Sequence, residues 1–272
     1  MALRDQERKS GRGLVKTWNQ RLSLPALKFI YRYASRKLDA DDVVFLNYGY
    51  EEDPAMGLPL SVHDEPNRFP IQLYHCTAAQ ADLNGKRVLE VGCGHGGGAS
   101  YLVRTMHPAT YVGLDLNPDG IAYCRKKHGL TGLKFVQGDA EDLPFADQSF
   151  DAVINIESSH LYPGFPGFLD EVARVLSPGG HFLYADARAS SAIARWESAL
   201  SNAPMRLVSQ RPINAEVVRG LEKDLQKWQE VADRVAPVFL RGMVRKLALA
   251  RKACEFLQRG GSEYRMYCFV KP

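Results

Sequence analysis

A chain of 272 residues, 45% apolar and 24% charged, has the make-up of a globular protein large enough to bury a substantial core. No run approaches 18 uninterrupted apolar residues, and the N-terminus lacks the order of a secretion signal, so neither a membrane span nor an export leader is expected. Net charge is +4 but uneven: Met1 to Lys37 carries +8 and the remainder −4. Cys76, Cys93, Cys124, Cys254 and Cys268 lack Cys-x-x-Cys spacing, which predicts free thiols in a reducing, cytoplasmic setting.

Leu22 to Tyr33 has apolar residues at helical spacing with Pro25 in its first turn, which predicts a helix with one buried side. The surrounding Lys and Arg suit a solvated face, an acidic partner or a peripheral encounter with the anionic inner face of the plasma membrane. No zinc-finger spacing or other recognition module is present, so no nucleic acid partner is expected. Val43 to Tyr50 is aromatic without a clear period: either a lid that lays Tyr48 or Tyr50 against a flat ligand, or a packed loop. Pro54 to Pro70 reads as irregular, Ile71 to Ala81 as a helix and Asn84-Gly85 as a turn.

The organising stretch follows. Arg87 to Val91 reads as a buried parallel strand, and the glycine-rich turn after it leads into a helix near Gly97 whose free N–H groups face the turn. The spacing Gly92-x-Gly94-x-Gly96 departs from the dinucleotide pattern, and Glu90 suits a cationic amine better than a pyrophosphate. Tyr111 to Leu116 is a second strand bearing Asp115, whose two oxygens can bond both hydroxyls of a ribose; Asn117 caps the next helix ahead of Pro118. Leu133 to Val136 is a third strand, followed by Asp139 and Ala140. These meet an adenine amine and ring nitrogen, or Asp139 serves as a cap. Asp151 to Ile156 is a fourth strand with Glu157-Ser158-Ser159-His160 beyond its end. Gly167 to Leu176 is a helix, Ser177 to Gly180 its stop, and His181 to Ala185 a fifth strand ending at Asp186. Such alternation predicts an α/β fold with a mostly parallel sheet and a ligand at the carboxyl ends of its strands.

The series Val88-Leu89-Glu90-Val91-Gly92-Cys93-Gly94-x-Gly96, Gly113-Leu114-Asp115-Leu116-Asn117, Gly138-Asp139-Ala140, Leu143-Pro144-Phe145, Ser149-Phe150-Asp151 and Arg174 to Gly180 resembles class I S-adenosylmethionine-dependent methyltransferases. From Val43-Val44-Phe45-Leu46-Asn47-Tyr48-Gly49-Tyr50 through Glu65-Pro66-Asn67-Arg68 to Tyr264-Arg265-Met266-Tyr267-Cys268-Phe269 the chain is similar to mycobacterial phthiotriol and phenolphthiotriol dimycocerosate methyltransferases, with glycopeptidolipid-sugar and fatty-acid O-methyltransferases as near relatives. The resemblance implies a doubly wound fold with a seven-stranded, mostly parallel sheet and helices on both faces. It also implies S-adenosyl-L-methionine as cofactor and a lipid or glycolipid hydroxyl as acceptor in cell-envelope synthesis. In that family Glu90, Gly92, Gly94 and Gly96 hold the methionine end, Asp115 the ribose, and Asp139 with Ala140 the adenine; Tyr48, Leu116, Asn117 and Glu157 complete the expected cofactor contacts.

Transfer to an alcohol requires aligned reactants and removal of the hydroxyl proton. His160 is the expected base, or else a histidine lining the cofactor pocket; the related sugar enzymes often carry a His-His pair where this chain has His160-Leu161. Asp186 orients His160 or binds the acceptor hydroxyl, and Glu157 bonds the histidine, bonds pocket backbone or caps the next helix. His63, His75, His95, Glu157 and Asp186 show no close metal spacing, so no metal is expected.

Ala187 to Gly261 is too long for a crossover alone, and its rhythm (Val217, Leu221, Leu225, Trp228, Val231, Val235, Phe239, Met243, Leu247) favours two or more helices interrupted or started at Pro237. They cover an apolar acceptor with Phe239, Leu240, Met243 and Leu247, or pack on their own domain; Gln210 and Arg211 are candidates for a polar head group. The family topology makes Tyr264 to Val270 an antiparallel last strand. The expected organisation is an N-terminal helical or lid segment over 1–80, a cofactor-binding core over 81–190, a helical acceptor-side insertion over 191–261 and the final strand over 262–272.

Overall fold

The computed structural model describes residues 43–235 and 249–272, and side chains within those ranges except at 226–235 and 249–253. The basic arm, the helix expected over Leu22 to Tyr33, and Pro237, Phe239, Leu240, Met243 and Leu247 lie outside the described residues.

In chain order the elements are α1 (Arg68–Ala78), β1 (Arg87–Val91), α2 (Gly97–Met106), β2 (Thr110–Asp115), α3 (Pro118–Lys127), β3 (Leu133–Gln137), β4 (Phe150–Ile156), α4 (Phe165–Val175), β5 (Leu176–Ala189), α5 (Ile193–Asn202), β6 (Arg206–Pro212), α6 (Asn214–Val235), α7 (Leu249–Gln258) and β7 (Ser262–Val270). The seven strands form one sheet in the order β3-β2-β1-β4-β5-β7-β6. β1 to β5 run parallel, and β7 lies antiparallel to both β5 and β6.

Strands buried on both faces need apolar residues at nearly every position, and β1 is buried from Val88 to Val91. Its residues alternate between two cores. Val88 joins the core packed under α1, α2, α3, α6 and α7, whereas Leu89 and Val91 join the one under α4 and α5. Glu90 shares the parity of Val88 and so points into the first of these layers.

Three features depart from the expected elements. Ser177 to Gly180, expected only as a helix stop, lies within β5: pairing jumps from Phe150 with Leu176 to Ala152 with His181, and Gly179 donates to the Lys271 carbonyl at 2.9 Å. β5 also continues past Asp186 to Ala189, outrunning β4, whose last partner is Ala185, because β7 supports its far side as far as Ser262. The insertion expected to be helical contributes β6 as well, the edge strand that completes the sheet.

Candidate active site

The glycine-rich turn follows β1 at the carboxyl edge of the sheet, but most of its peptide N–H groups are already engaged. Those of Gly92 and Cys93 donate to the Leu114 carbonyl (2.7 and 3.0 Å), that of Gly96 to Cys93 (2.9 Å), and that of Gly97 to Val44 (3.0 Å). Gly94 donates to Asp115 Oδ2 at 2.9 Å. The free helix N–H groups expected to face the ligand are therefore not on offer at these positions, and a phosphate would find few donors. Gly92 has φ +78°, and a Cβ there would run into Ser158 and Tyr162.

Glu90 is 1% exposed. Its Oε1 accepts the Tyr74 hydroxyl at 2.8 Å and its Oε2 that of Tyr111 at 2.9 Å. Burial pushes its carboxyl up to about 7, despite the two tyrosine hydrogen bonds that favour the anion. At the end of β2, Asp115 ties two loops together, its Oδ1 accepting the Asn117 N–H at 2.9 Å. Burial raises its carboxyl too. Leu116 beside it is 43% exposed, an apolar face at the sheet's ligand edge. Asn117 caps α3 by accepting the Asp119 N–H at 3.1 Å. Asp139 is exposed and accepts the Glu141 N–H at 3.0 Å, closing a turn around buried Ala140.

A strap of chain from Val43 to Glu51 crosses this edge. Its first anchor is near β1, where His95 Nδ1 lies 2.7 Å from the Val43 carbonyl and Gly97 donates to Val44. Its second is at β4, where both carboxylate oxygens of Glu157 accept the Tyr48 N–H (3.0 and 2.9 Å). Glu157 thus bonds pocket backbone, and it does so from a left-handed conformation (φ +47°). The Tyr264 hydroxyl donates to Glu157 Oε1 at 2.6 Å, and burial lifts the carboxyl to about 7. Gly49 then rests directly on Gly220 of α6, where a Cβ on either would collide with the other's backbone. Tyr50 is fully buried, and its hydroxyl receives Arg211 at 2.8 Å, so both belong to packing between strap and insertion; Gln210 is exposed on β6.

Beyond the end of β4 a short 3-10 turn (Ser159–Leu161) brings His160 to the overhang of β5. His160 Nδ1 lies 2.8 Å from Asp186 Oδ1, and the His160 N–H donates to Oδ2 at 2.9 Å. The histidine side chain is 41% exposed while Asp186 is wholly buried. Burial alone would lower the imidazole's proton affinity, but the charge and hydrogen bond of Asp186 outweigh it and the net shift is upward. Asp186 itself is held well below the usual carboxylate range: burial opposes this, and His160, Arg188 and Ser159 overcome it. Donors from Ser159, His160, Ala187 and Arg188 already occupy the two oxygens of Asp186.

Comparison with known proteins bears on what this edge does. The family model for a methyltransferase domain matches residues 89–184, the span from β1 into β5. A fatty-acid O-methyltransferase of Mycolicibacterium smegmatis is 65% identical over 93% of this chain and 93% of its own length. The chain belongs to the class I S-adenosylmethionine-dependent methyltransferases. A phthiotriol/phenolphthiotriol dimycocerosates methyltransferase of Mycobacterium tuberculosis is 55% identical over 90% of this chain and 91% of its own. Among solved structures, the geranyl diphosphate C-methyltransferase of Streptomyces coelicolor, in complex with S-adenosyl-L-homocysteine, superposes with TM-score 0.63 at 16% identity over 90% of this chain and 97% of that one; this likeness speaks for the fold.

The residues of this methyltransferase fit an aminoacyl nucleoside. Glu90 and Asp115 are acidic where a cationic amine and ribose hydroxyls are expected, and Leu116 offers an apolar face, while Gly92 lets Ser158 and Tyr162 pack against the turn. Asn155 Oδ1 is buried beside the turn and has no hydrogen-bond partner among the described residues. Several site residues escaped the sequence reading. Tyr74, Tyr111 and Tyr264 meet the two buried glutamates from distant elements, with no signal in the linear order. Tyr184 and Arg188, by contrast, flank the expected Asp186 at strand spacing, a polar stripe on one face of β5 that could have been read from the sequence.

Proposed function

We propose that this enzyme binds S-adenosyl-L-methionine and methylates an oxygen of a lipid acceptor. Bound at the carboxyl edge, the cofactor supplies a methyl group already activated on a sulfonium. Glu90 receives its ammonium, Asp115 its ribose hydroxyls, Asp139 and the Ala140 N–H its adenine, with Tyr48, Leu116 and Asn117 around it. Asp186 keeps the Nδ1 proton of His160 and leaves Nε2 as the basic nitrogen on the open side, where it takes the acceptor hydroxyl's proton during attack. The observation that carries this reading is the Asp186–His160 pair at the end of adjacent strands, 2.8 Å apart and open on one side.

A lipid acceptor is supported by the relatives' names, one a fatty-acid O-methyltransferase and the other acting on phthiotriol and phenolphthiotriol dimycocerosates. Fatty-acid carboxylates form a second reading, favoured by the upward shift at His160: a carboxylate needs no base, and an imidazolium would serve as its counter-ion. A methyl-transfer screen of fractionated envelope lipids and free fatty acids, read by mass spectrometry, tests both. A methyl ether supports the first and a methyl ester the second. Methylation at carbon, or cofactor binding without any product, would refute both.

Among the described residues no helix is long and apolar enough to cross a membrane. We place the enzyme in the cytoplasm, with the basic arm meeting the anionic inner leaflet. Salt-sensitive cosedimentation with anionic liposomes, lost on removal of residues 1–20, is the expected result.

A further inference from the structure

Asp186 is the end point of a hydrogen-bond chain that can run in one direction only. An indole N–H can only donate, and that of Trp196 donates to the Tyr184 hydroxyl at 3.0 Å. Tyr184 accepts there, so its own proton is available to Ser159 Oγ, 2.7 Å away. Ser159 in turn donates to Asp186 Oδ2 at 2.7 Å.

Arg188 closes this chain into a ring. Its Nη1 lies 3.0 Å from Asp186 Oδ2, and its Nη2 donates to Ser159 Oγ at 2.8 Å and to the Tyr184 hydroxyl at 3.3 Å. The guanidinium has little room to move. It sits over the Phe165 ring at 5.1 Å and the Trp196 ring at 4.9 Å, and Nη1 also donates to the Ala187 carbonyl at 2.9 Å. Arginine suits such a seat because its planar fork stacks on aromatic faces and serves several acceptors at once. With Ser159, Arg188 and the His160 N–H on Oδ2, Oδ1 remains for the imidazole and the Ala187 N–H.

We propose that Arg188 is a positioning residue for the Asp186–His160 pair: clamped between Phe165 and Trp196, it keeps Asp186 anionic and turned toward the ring, while its own charge restrains that ring from taking a second proton. The inference rests on the reading of His160 as the group that handles the acceptor's proton. The charged and titratable groups around the imidazole are Asp186 and Arg188 from β5 and Glu157 from the end of β4, with Tyr48 and Tyr264 interacting with Glu157. Removal of the guanidinium would leave two carboxylates facing the ring and make imidazolium easier to form.

The test uses the full chain. The His160 resonance, assigned with His160→Gln, is titrated by NMR in wild type, Arg188→Gln and Arg188→Lys, beside pH–rate profiles of methyl transfer. Arg188→Gln is expected to raise the titration midpoint by about half a unit or more, with the acid limb of the rate following, and Arg188→Lys to move it less. An unmoved midpoint in folded Arg188→Gln overturns the inference. A midpoint that moves without the rate limb supports Arg188's hold on the pair and removes His160 as the base. Should Arg188→Gln fail to fold, Arg188→Lys decides: kcat lowered at unchanged KM supports a positioning role for the fork, and wild-type kcat overturns it.

Discussion

Glu157 and Tyr48, 109 residues apart, are joined through the peptide N–H of the tyrosine, which both carboxylate oxygens accept. This bond fastens the strap to the end of β4, and Tyr264 fastens the same carboxylate to β7. Glu157→Ala is expected to destabilise the protein by about 1–3 kcal/mol and to weaken S-adenosylhomocysteine binding about tenfold, with Tyr264→Phe milder. Glu157 holds a left-handed backbone, so Glu157→Gly should be more stable than Glu157→Ala by about 0.5–1 kcal/mol. Urea unfolding of the pair would show it; the reverse order would deny strain at this position.

Glu90 carries a pH signature. Its folded-state value of about 7 exceeds the ordinary 4.5, so the folded protein holds a proton that the unfolded chain gives up. The stability contributed is fully present below 4.5 and lost as pH rises through about 7, and Glu90→Gln should flatten that decline. An ammonium needs the anion, so cofactor affinity should rise with pH up to about 7 and binding should release a proton. Calorimetry in buffers of different ionisation enthalpy measures the release. Identical apparent enthalpies would argue against the pairing.

Gly92→Ala combines a backbone penalty with a collision. At φ +78° the new methyl would meet Ser158 and Tyr162, both hydrogen-bonded to Asn155. A loss of about 2 kcal/mol or more in stability is expected, together with loss of cofactor binding. Thermal unfolding and calorimetry on one preparation check both, and wild-type behaviour would show that the turn has slack it does not display.

His160→Ala should reduce kcat by about 10²- to 10⁴-fold with cofactor affinity nearly unchanged, and Asp186→Asn should also be severe because it disturbs the tautomer. Since Asp186 shifts the imidazole upward, the rate with a hydroxyl acceptor should rise with pH through a midpoint above 6.5. The same pair stabilises the fold fully below 6.5 and loses that contribution as pH passes the raised value. Near-normal turnover in His160→Ala would dismiss it as the base.

β1 and β4 were legible because strands buried on both faces must be apolar almost throughout, and β2 and the edge strand β3 because Asp115 and Asp139 lie at or follow their ends. β6 was not: all seven of its residues are exposed, so no alternation marks it, and its pairing depends on β7, fifty residues later. The meeting of His160 with Asp186 followed from adjacent strand ends. The network around Asp186 did not, because Ser159 and Arg188 reach it from a turn and a strand overhang, and Trp196, on a helix, joins it only through the Tyr184 hydroxyl. The turn's N–H groups misled for a related reason, since Val44 and Asp115, which consume two of them, come from elsewhere in the chain.

The bare backbone contact of Gly49 with Gly220 couples the strap to α6 without any side chain between them to absorb a mismatch. A chimera that borrowed the insertion of another enzyme would have to bring a glycine to the same helical position, or it would lift the strap and loosen its grip on nucleoside. Swapping acceptor preference by grafting is thus expected to fail first as a loss of methyl-donor retention.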